Sequence, residues 1–208
     1  MIDTVNNWIE AGGPIVVILG VLSLYSIALV ILKLIQFWGL LSGRREREAA
    51  LDAWKRGDRV EAKKLVDGAR GPISQVFAAA MDGLAERWDA ATLREEIERR
   101  ANDQIETLGR HLRTLEVLAV VSPLMGLLGT VLGMIESFQQ LELAGGSANA
   151  AILAAGIWQA LLTTAMGLIV AIPAAVAANL LGARLDRASH AIEDAVTRLY
   201  IADRARGA

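Results

Sequence analysis

Residues 149–182 read NAAILAAGIWQALLTTAMGLIVAIPAAVAANLLG, and the fold is decided by this stretch. It has no charged residue, and at ~1.5 Å rise per residue it is long enough to cross a ~30 Å hydrocarbon layer as one helix. Gln159, Thr163 and Thr164 lie inside it, among glycines and alanines. Small residues permit close helix contact, and a buried amide or hydroxyl needs a partner. The stretch therefore predicts a transmembrane helix that faces other helices or a narrow wet path.

The composition of the whole chain is that of a membrane protein. Its 208 residues are 54% hydrophobic, with a mean hydropathy of +0.40. The chain has no cysteine, which excludes disulfides, thiol catalysis and thiolate metal sites. No cleavable signal peptide is expected, because no basic region precedes the first apolar span.

The positive charges set the expected topology. All 21 Lys and Arg lie within residues 33–113 and 184–206, so the positive-inside rule places both blocks in the cytoplasm and the N-terminus outside. We predict an all-α integral membrane protein with three transmembrane helices and long helices that extend into the cytoplasm. The expected segments are a periplasmic N-terminus (1–12), helix 1 (13–38), a cytoplasmic helical region (39–115), helix 2 (116–141), a periplasmic loop (142–150), helix 3 (151–182) and a cytoplasmic C-terminal helix (183–208).

Local signals divide the cytoplasmic region. Residues 44–56 read as a helix, Asp58 as the cap of the next one, and Gly71-Pro72 as a break before a third. A capping box from Thr92 to Glu95 opens a helix that we expect to run unbroken from about 93 to 140, roughly 70 Å at ~1.5 Å per residue. Lys33, near the inner end of the first span, is expected to extend to the lipid headgroups.

No catalytic pattern is present: the chain has no P-loop, HExxH or GxSxG motif, and both histidines are expected to face solvent on charged helices. We therefore expect neither an enzyme, a metal, a cofactor nor a nucleic-acid partner. The remaining candidates are the polar side chains within the membrane. From composition alone, Gln159, Thr163 and Thr164 fit a functional role and cross-helix hydrogen bonding equally well.

Glycines mark the expected contact faces. Gly126, Gly129 and Gly133 form a small-residue stripe on helix 2, and Gly156 and Gly167 lie on the alanine-rich helix 3. Lipid contact would not select such faces, so we predict close helix packing and an oligomer.

Two long motifs carry a family resemblance. SPLMGLLGTVLGMIESF in helix 2 and GIWQALLTTAMGLIVAIPAAVAAN in helix 3 resemble the two signature helices of the ExbB/TolQ/MotA ion-channel family. Three spans with a compact cytoplasmic insert are closest to the ExbB/TolQ branch.

The resemblance implies a proton-conducting subunit of a bacterial inner-membrane motor. It implies a homopentamer whose pore, formed by helices 2 and 3, holds an ExbD- or TolR-like single-span partner with a membrane aspartate. The work would pass to a TonB- or TolA-like protein that spans the periplasm. The family's pore-lining threonines match Thr130 and Thr164, and Thr163 supplies a further hydroxyl.

One position departs from the family pattern. Members related to ExbB often have a glutamate where this chain has Gln159. An amide does not titrate at physiological pH, so Gln159 can orient water or coordinate an ion but cannot relay a proton. Proton and sodium transport both stay open, with protons favoured by the resemblance. A non-conducting membrane scaffold and a receptor-type signalling protein are the alternatives from other classes.

Overall fold

The computed structural model describes residues 2–40, 42–69, 71–143 and 150–207, with side chains described for 13–40, 42–69, 71–143 and 153–205. Every regular element within these ranges is a helix, which confirms the predicted all-α class. The helices are α1 (Ile2–Phe37), α2 (Arg44–Arg56), α3 (Arg59–Asp67), α4 (Pro72–Ala85), α5 (Ala90–Gly109), α6 (Leu112–Leu143) and α7 (Ala150–Gly207).

Three of the described stretches are long and apolar enough to cross a membrane. They are Gly13–Phe37 in α1, one in the segment Ala90–Leu143 and one in the segment Leu153–Ala205. This confirms the expected three spans. The helix α1 also includes residues 2–12 and bends at Gly13, whose φ of 61° is accessible to glycine. Most of the loop expected at 142–150 lies outside the described residues, since 144–149 are not among them.

The chain forms two compact units. Met1–Leu32 and His111–Leu180 make up the first, here called the apolar unit, and Lys33–Arg110 and Leu181–Ala208 make up the second, the polar unit. Much of the outer surface of the apolar unit is hydrocarbon: Leu24 is 72% exposed and Val120 is 64% exposed. A surface of this kind is suited to lipid rather than water.

The polar unit has a hydrophobic core built from four short helices and the C-terminal part of α7. Trp54, Phe77 and Met81 are each 1% exposed at its centre. Apolar side chains at three- and four-residue spacing along α7, among them Ile192 and Leu199, complete the core. Asp58 accepts a hydrogen bond from the Glu61 amide at 2.9 Å, which confirms it as the cap of α3.

The expected unbroken helix from 93 to 140 was wrong. The helix α5 ends at Gly109 and α6 begins at Leu112, because Arg110 is extended (ψ 133°) and His111 adopts a left-handed conformation (φ 70°). Glycine lowers the helix propensity at this point, and histidine tolerates the left-handed region better than most residues. The N-cap of α5 also differs from the expected capping box: it is Asp89, which accepts from the amides of Ala91 and Thr92.

Lys33 does not extend to the headgroups as expected. Its side chain is 1% exposed, and its Nζ donates to Gln36 Oε1 at 2.6 Å and to the carbonyl oxygen of Leu108 at 2.9 Å. Leu108 lies in the last turn of α5, where carbonyl groups lack helical partners and the helix dipole favours a cation. Lys33 therefore caps α5 immediately before the break at Arg110 and His111.

Candidate ion-pathway site at the helix seam

Small residues of α6 and α7 meet in a tight contact, here called the seam. The α6 face of the seam consists of Ser122, Gly126, Gly129, Gly133 and Ser137, and the α7 face of Gly156, Ala160, Thr163 and Gly167.

The seam leaves no room for a methyl group at most of its glycines. A Cβ atom added to Gly167 would lie 2.6 Å from the Ser122 carbonyl oxygen, and one added to Gly129 would lie 2.5 Å from Thr163 Oγ1. Both distances are shorter than real Cβ contacts allow. Gly133 is looser, because its nearest neighbour would be the Ala160 Cβ at 3.5 Å. The structure thus places all five predicted packing glycines at a contact within one chain, although the same stripe also predicts an oligomer.

Thr163 is buried at the centre of the seam. It is 2% exposed, and its hydroxyl is directed to the carbonyl oxygens of Ala160 at 2.7 Å and Gly126 at 3.2 Å. A hydroxyl has one proton, so the two carbonyls share it. In this position Thr163 joins the two helices to each other.

Thr130 and Thr164 lie at the edge of the seam, and both are half-buried. Thr130 Oγ1 donates to the carbonyl oxygen of Leu127 at 2.7 Å, and Thr164 Oγ1 is directed to that of Gly126 at 3.3 Å. Each hydroxyl proton is therefore directed to backbone. The oxygen lone pairs remain available to accept a further hydrogen bond or to coordinate a cation.

The register of the seam brings these two threonines to one level. Gly126 meets Thr164 and Gly129 meets Thr163, while Ser137 meets Gly156 further along, so the helices run antiparallel. At ~100° per residue, Thr130 and Thr164 each lie roughly 60–70° from the centre of the seam face on their own helix. Both rotations have the same sense along the chain, and in an antiparallel pair such rotations move the two side chains to the same side of the contact. Both hydroxyls are thus on one flank of the seam.

Gln159 lies on the other flank. It is about 140° from Thr164 around α7, with the seam face between them, and its side chain is half-buried. The structure therefore places Thr130 and Thr164 on one flank of the seam and Gln159 on the other. Glu116 and Glu136, the two carboxylates of the predicted second span, are exposed and are not part of the seam.

Sequence reasoning did not single out Ser122 as a functional candidate. It is fully buried, and among the described residues its hydroxyl has no hydrogen-bond partner. Its position four residues before Gly126, on the same helix face, was the available signal. Within the part of the chain that the structure describes, no cluster of three or more His, Cys, Asp or Glu side chains could hold a metal ion.

Comparison with known proteins places the chain in a family. Residues 69–194 match the family described as the MotA/TolQ/ExbB proton channel family. The ExbB-like 3 biopolymer transport protein of Synechocystis sp. is 33% identical over 172 residues, which are 81% of this chain and 80% of that protein. The exbB1 biopolymer transport protein of Vibrio cholerae is 46% identical over 82 residues, which cover 39% of this chain and 36% of that protein.

The chain is also similar to a protein of the Tol-Pal system. The Tol-Pal system protein TolQ of Haemophilus influenzae is 42% identical over 85 residues, or 41% of this chain and 37% of that protein. The matched residues 69–194 contain α5, α6 and the part of α7 that forms the seam. The chain is therefore a multi-pass membrane protein that belongs to the MotA/TolQ/ExbB proton channel family, in its ExbB/TolQ-like branch.

Proposed function

We propose that this chain is the ion-conducting subunit of an inner-membrane energy-transducing complex, and that the ion is the proton. The observation that carries the proposal is the pair of threonine hydroxyls on one flank of the seam. Thr130 and Thr164 have their protons directed to carbonyl oxygens of α6, at 2.7 and 3.3 Å. Their lone pairs can then accept hydrogen bonds from a hydronium ion, from water or from a protonated carboxyl group.

The partner in this proposal is a single-span ExbD- or TolR-like protein with a membrane aspartate. A neutral carboxyl group can donate its one proton to either threonine oxygen, whereas a carboxylate can only accept and gains nothing from hydroxyls whose protons are directed to backbone. The threonine pair would therefore stabilise the protonated form of the aspartate. Gln159, on the other flank, would not take part in the proton transfer, since an amide does not titrate.

The assembly in the proposal is a homopentamer with its N-termini in the periplasm and its C-termini in the cytoplasm, which passes work to a TonB- or TolA-like protein. The charge distribution supports the orientation. One basic block lies between spans 1 and 2 and the other follows span 3, so the positive-inside rule assigns both to the cytoplasm. Family membership supports the partners, since the relatives are named as biopolymer transport and Tol-Pal system proteins.

The test is proton flux in vesicles that contain the chain together with an ExbD- or TolR-like single-span partner. We expect Thr130→Val and Thr164→Val each to abolish partner-dependent acidification, because valine preserves the shape and removes the oxygen. Thr130→Ser, which restores an oxygen, should recover flux. Gln159→Ala should have a mild effect, and Gln159→Glu should be tolerated.

Three other results would each change the conclusion. Normal flux in both valine variants with none in Gln159→Ala would move the pathway to the Gln159 flank. Flux that depends on sodium rather than on a pH gradient would identify the sodium-driven alternative. If wild-type vesicles show no ion flux while the partner still co-purifies, the chain is a membrane scaffold.

A further inference from the structure

A cavity of about 380 Å³ opens in the polar unit, lined by α2, α4 and the C-terminal part of α7. Four arginines and two carboxylates line it, together with small and apolar side chains that include Phe77. The charged residues are Arg44, Arg47, Arg187, Arg198, Glu48 and Asp194.

The charges of the cavity are not balanced. Arg44 pairs with Glu48 at 3.0 Å, and Arg198 lies 3.7 Å from Asp194. Both carboxylates are thus used by these two arginines. The remaining cations, Arg47 and Arg187, give the lining a net charge of +2.

Arg47 is held in place by neutral groups. Its side chain is buried, and Nη1 donates to the Ser42 carbonyl oxygen at 2.8 Å and to Ser74 Oγ at 2.9 Å. Ser74 is itself 1% exposed, so this hydrogen bond holds the guanidinium against a buried residue. No ion pair joins Arg47 to a carboxylate in the ranges that the structure describes.

Burial of this cation is unfavourable without an anion. Desolvation lowers the pKa of Arg47, although the nearby Glu46 and Glu48 oppose the shift, and an arginine remains charged in any case. A buried charge whose hydrogen bonds go only to neutral acceptors keeps much of its desolvation cost. Nη1 makes both described bonds and Arg47 lines the cavity, so Nε and Nη2 are the donors that remain for a ligand.

We propose that this cavity binds a phosphate group, with Arg47 as its main ligand and Arg187 as a second cation. The planar guanidinium fork matches phosphate oxygens in a bidentate geometry. The first turn of α2, which carries Arg44 and Arg47, has no side-chain cap at its N-terminus, and such a helix end favours an anion. The apolar part of the wall suits an organic substituent on the phosphate.

Two sources could supply this phosphate. Arg44 and Arg187 follow the predicted inner ends of spans 1 and 3 by six and five residues, so one source is the headgroup of an anionic phospholipid. The other source is soluble phosphate or a soluble phosphate ester. The chemistry at Arg47 is the same for both, and the experiment distinguishes them.

The experiment uses the full chain in two arms. In one, the protein is placed in nanodiscs of phosphatidylcholine with or without phosphatidylglycerol, and retained lipid is counted by native mass spectrometry. In the other, the protein in neutral detergent is titrated with inorganic phosphate at constant ionic strength. The test variant is Arg187→Gln, and its matched control is Arg184→Gln, an exposed arginine one turn earlier on α7 that does not line the cavity.

We expect Arg187→Gln to weaken binding by roughly tenfold and Arg184→Gln to leave it unchanged, since a hydrogen bond to a charged group is lost only in the first. Arg47→Gln should abolish binding, with circular dichroism to check that the variant folds. If Arg47→Gln does not fold, the comparison of binding by Arg187→Gln and by Arg184→Gln decides whether the proposal holds. Binding in the nanodisc arm alone identifies a lipid headgroup, and binding of inorganic phosphate identifies a soluble source. Retention of neither probe, or equal weakening by Arg187→Gln and Arg184→Gln, overturns the proposal.

Discussion

In the apolar unit the helices α6 and α7 meet through glycines and small polar residues, whereas the core of the polar unit is filled by large apolar side chains. A methyl group on Gly167 would lie within 2.6 Å of a carbonyl oxygen across the seam. The polar unit instead buries Trp54 and Phe77 at 1% exposure. The exposed surfaces also differ: exposed leucine, isoleucine and valine cover the apolar unit, and arginine–glutamate pairs line α5 of the polar unit.

The difference follows from the solvent that each unit is built for. Water drives large apolar side chains together, so a core of tryptophan, phenylalanine and methionine is the efficient solution in the polar unit. Lipid gives no such driving force, because a leucine is as well solvated by acyl chains as by another helix. Close approach of backbones, with threonine hydroxyls shared between helices, then provides the contact in the apolar unit.

Truncation of a core side chain should distinguish the units most clearly. Met81→Ala should lower the free energy of unfolding of the polar unit by about 2–5 kcal/mol, because it leaves a cavity in a close-packed core. Leu127→Ala, at a 55% exposed position of the apolar unit, should have little effect on the folded helix pair. Thermal unfolding in one detergent compares the two. Equal losses would show that both units are held by large side chains.

Enlargement of a small residue should instead damage the apolar unit, where the helices are in close contact. Gly129→Leu should cost about 3 kcal/mol, at the upper end for overpacking, because the added atoms overlap Thr163 and force α6 and α7 apart. The measurement is the yield of folded protein after solubilisation.

The matched control for Gly129→Leu is Gly20→Leu in α1, where an added Cβ would meet no atom within 4 Å. A finer series within the seam compares Gly129→Ala with Gly133→Ala. The second should be tolerated, since its Cβ would lie at an ordinary distance of 3.5 Å. Similar damage from Gly20→Leu and Gly129→Leu would mean that the seam is not a close contact.

The lysine cap of α5 predicts a smaller effect. Lys33→Met keeps the apolar stem but removes the hydrogen bond to the Leu108 carbonyl, and leaves that buried acceptor without its cation. We expect a loss of about 1–3 kcal/mol and faster hydrogen exchange in the last turn of α5. Lys64→Met, at an exposed position of α3, is the control. Unchanged exchange in α5 would contradict the capping role.

The smallest effect is expected at the surface of α5. Hydrogen bonds from Arg99 and Arg100 lower the pKa of Glu96 to about 2. Because the folded pKa lies below the unfolded value of about 4.3, the stabilisation is present above that value and is lost as the pH falls towards 2. Glu96→Gln should therefore flatten the pH dependence of the melting temperature between these limits, while Glu106→Gln on the same helix should not. The same pH profile in the wild type and in Glu96→Gln would contradict this assignment.

Most of the fold was accessible from local sequence signals. The three apolar spans, the Asp58 cap and the break at Gly71-Pro72 each depend on residues close together in the chain, and all are present in the structure. Apolar residues also recur at three- and four-residue spacing along the C-terminal part of α7, and in the structure they form its buried face in the polar unit.

The features that escaped prediction depend on distant residues. The break after α5 is stabilised by Lys33, which is 75 positions away in the sequence. The burial of Arg47 depends on Ser74, which no local pattern connects to it. At the candidate site, helical periodicity separated Gln159 from Thr164, but only the register of the seam brought Thr130 to the level of Thr164.

The interruption at Arg110 and His111 has a mechanical consequence. The chain passes between the two units three times, and two of these passages lie inside the helices α1 and α7, while the third is the interruption itself. A continuous helix resists twisting about its axis, because its hydrogen bonds are closed from turn to turn. At Arg110 and His111 the backbone leaves the helical conformation, so the regular series of bonds is interrupted there and the link can act as a swivel. A twist applied to α1 or α7 would therefore be carried along an unbroken helix, whereas α6 could turn about its axis without winding up α5.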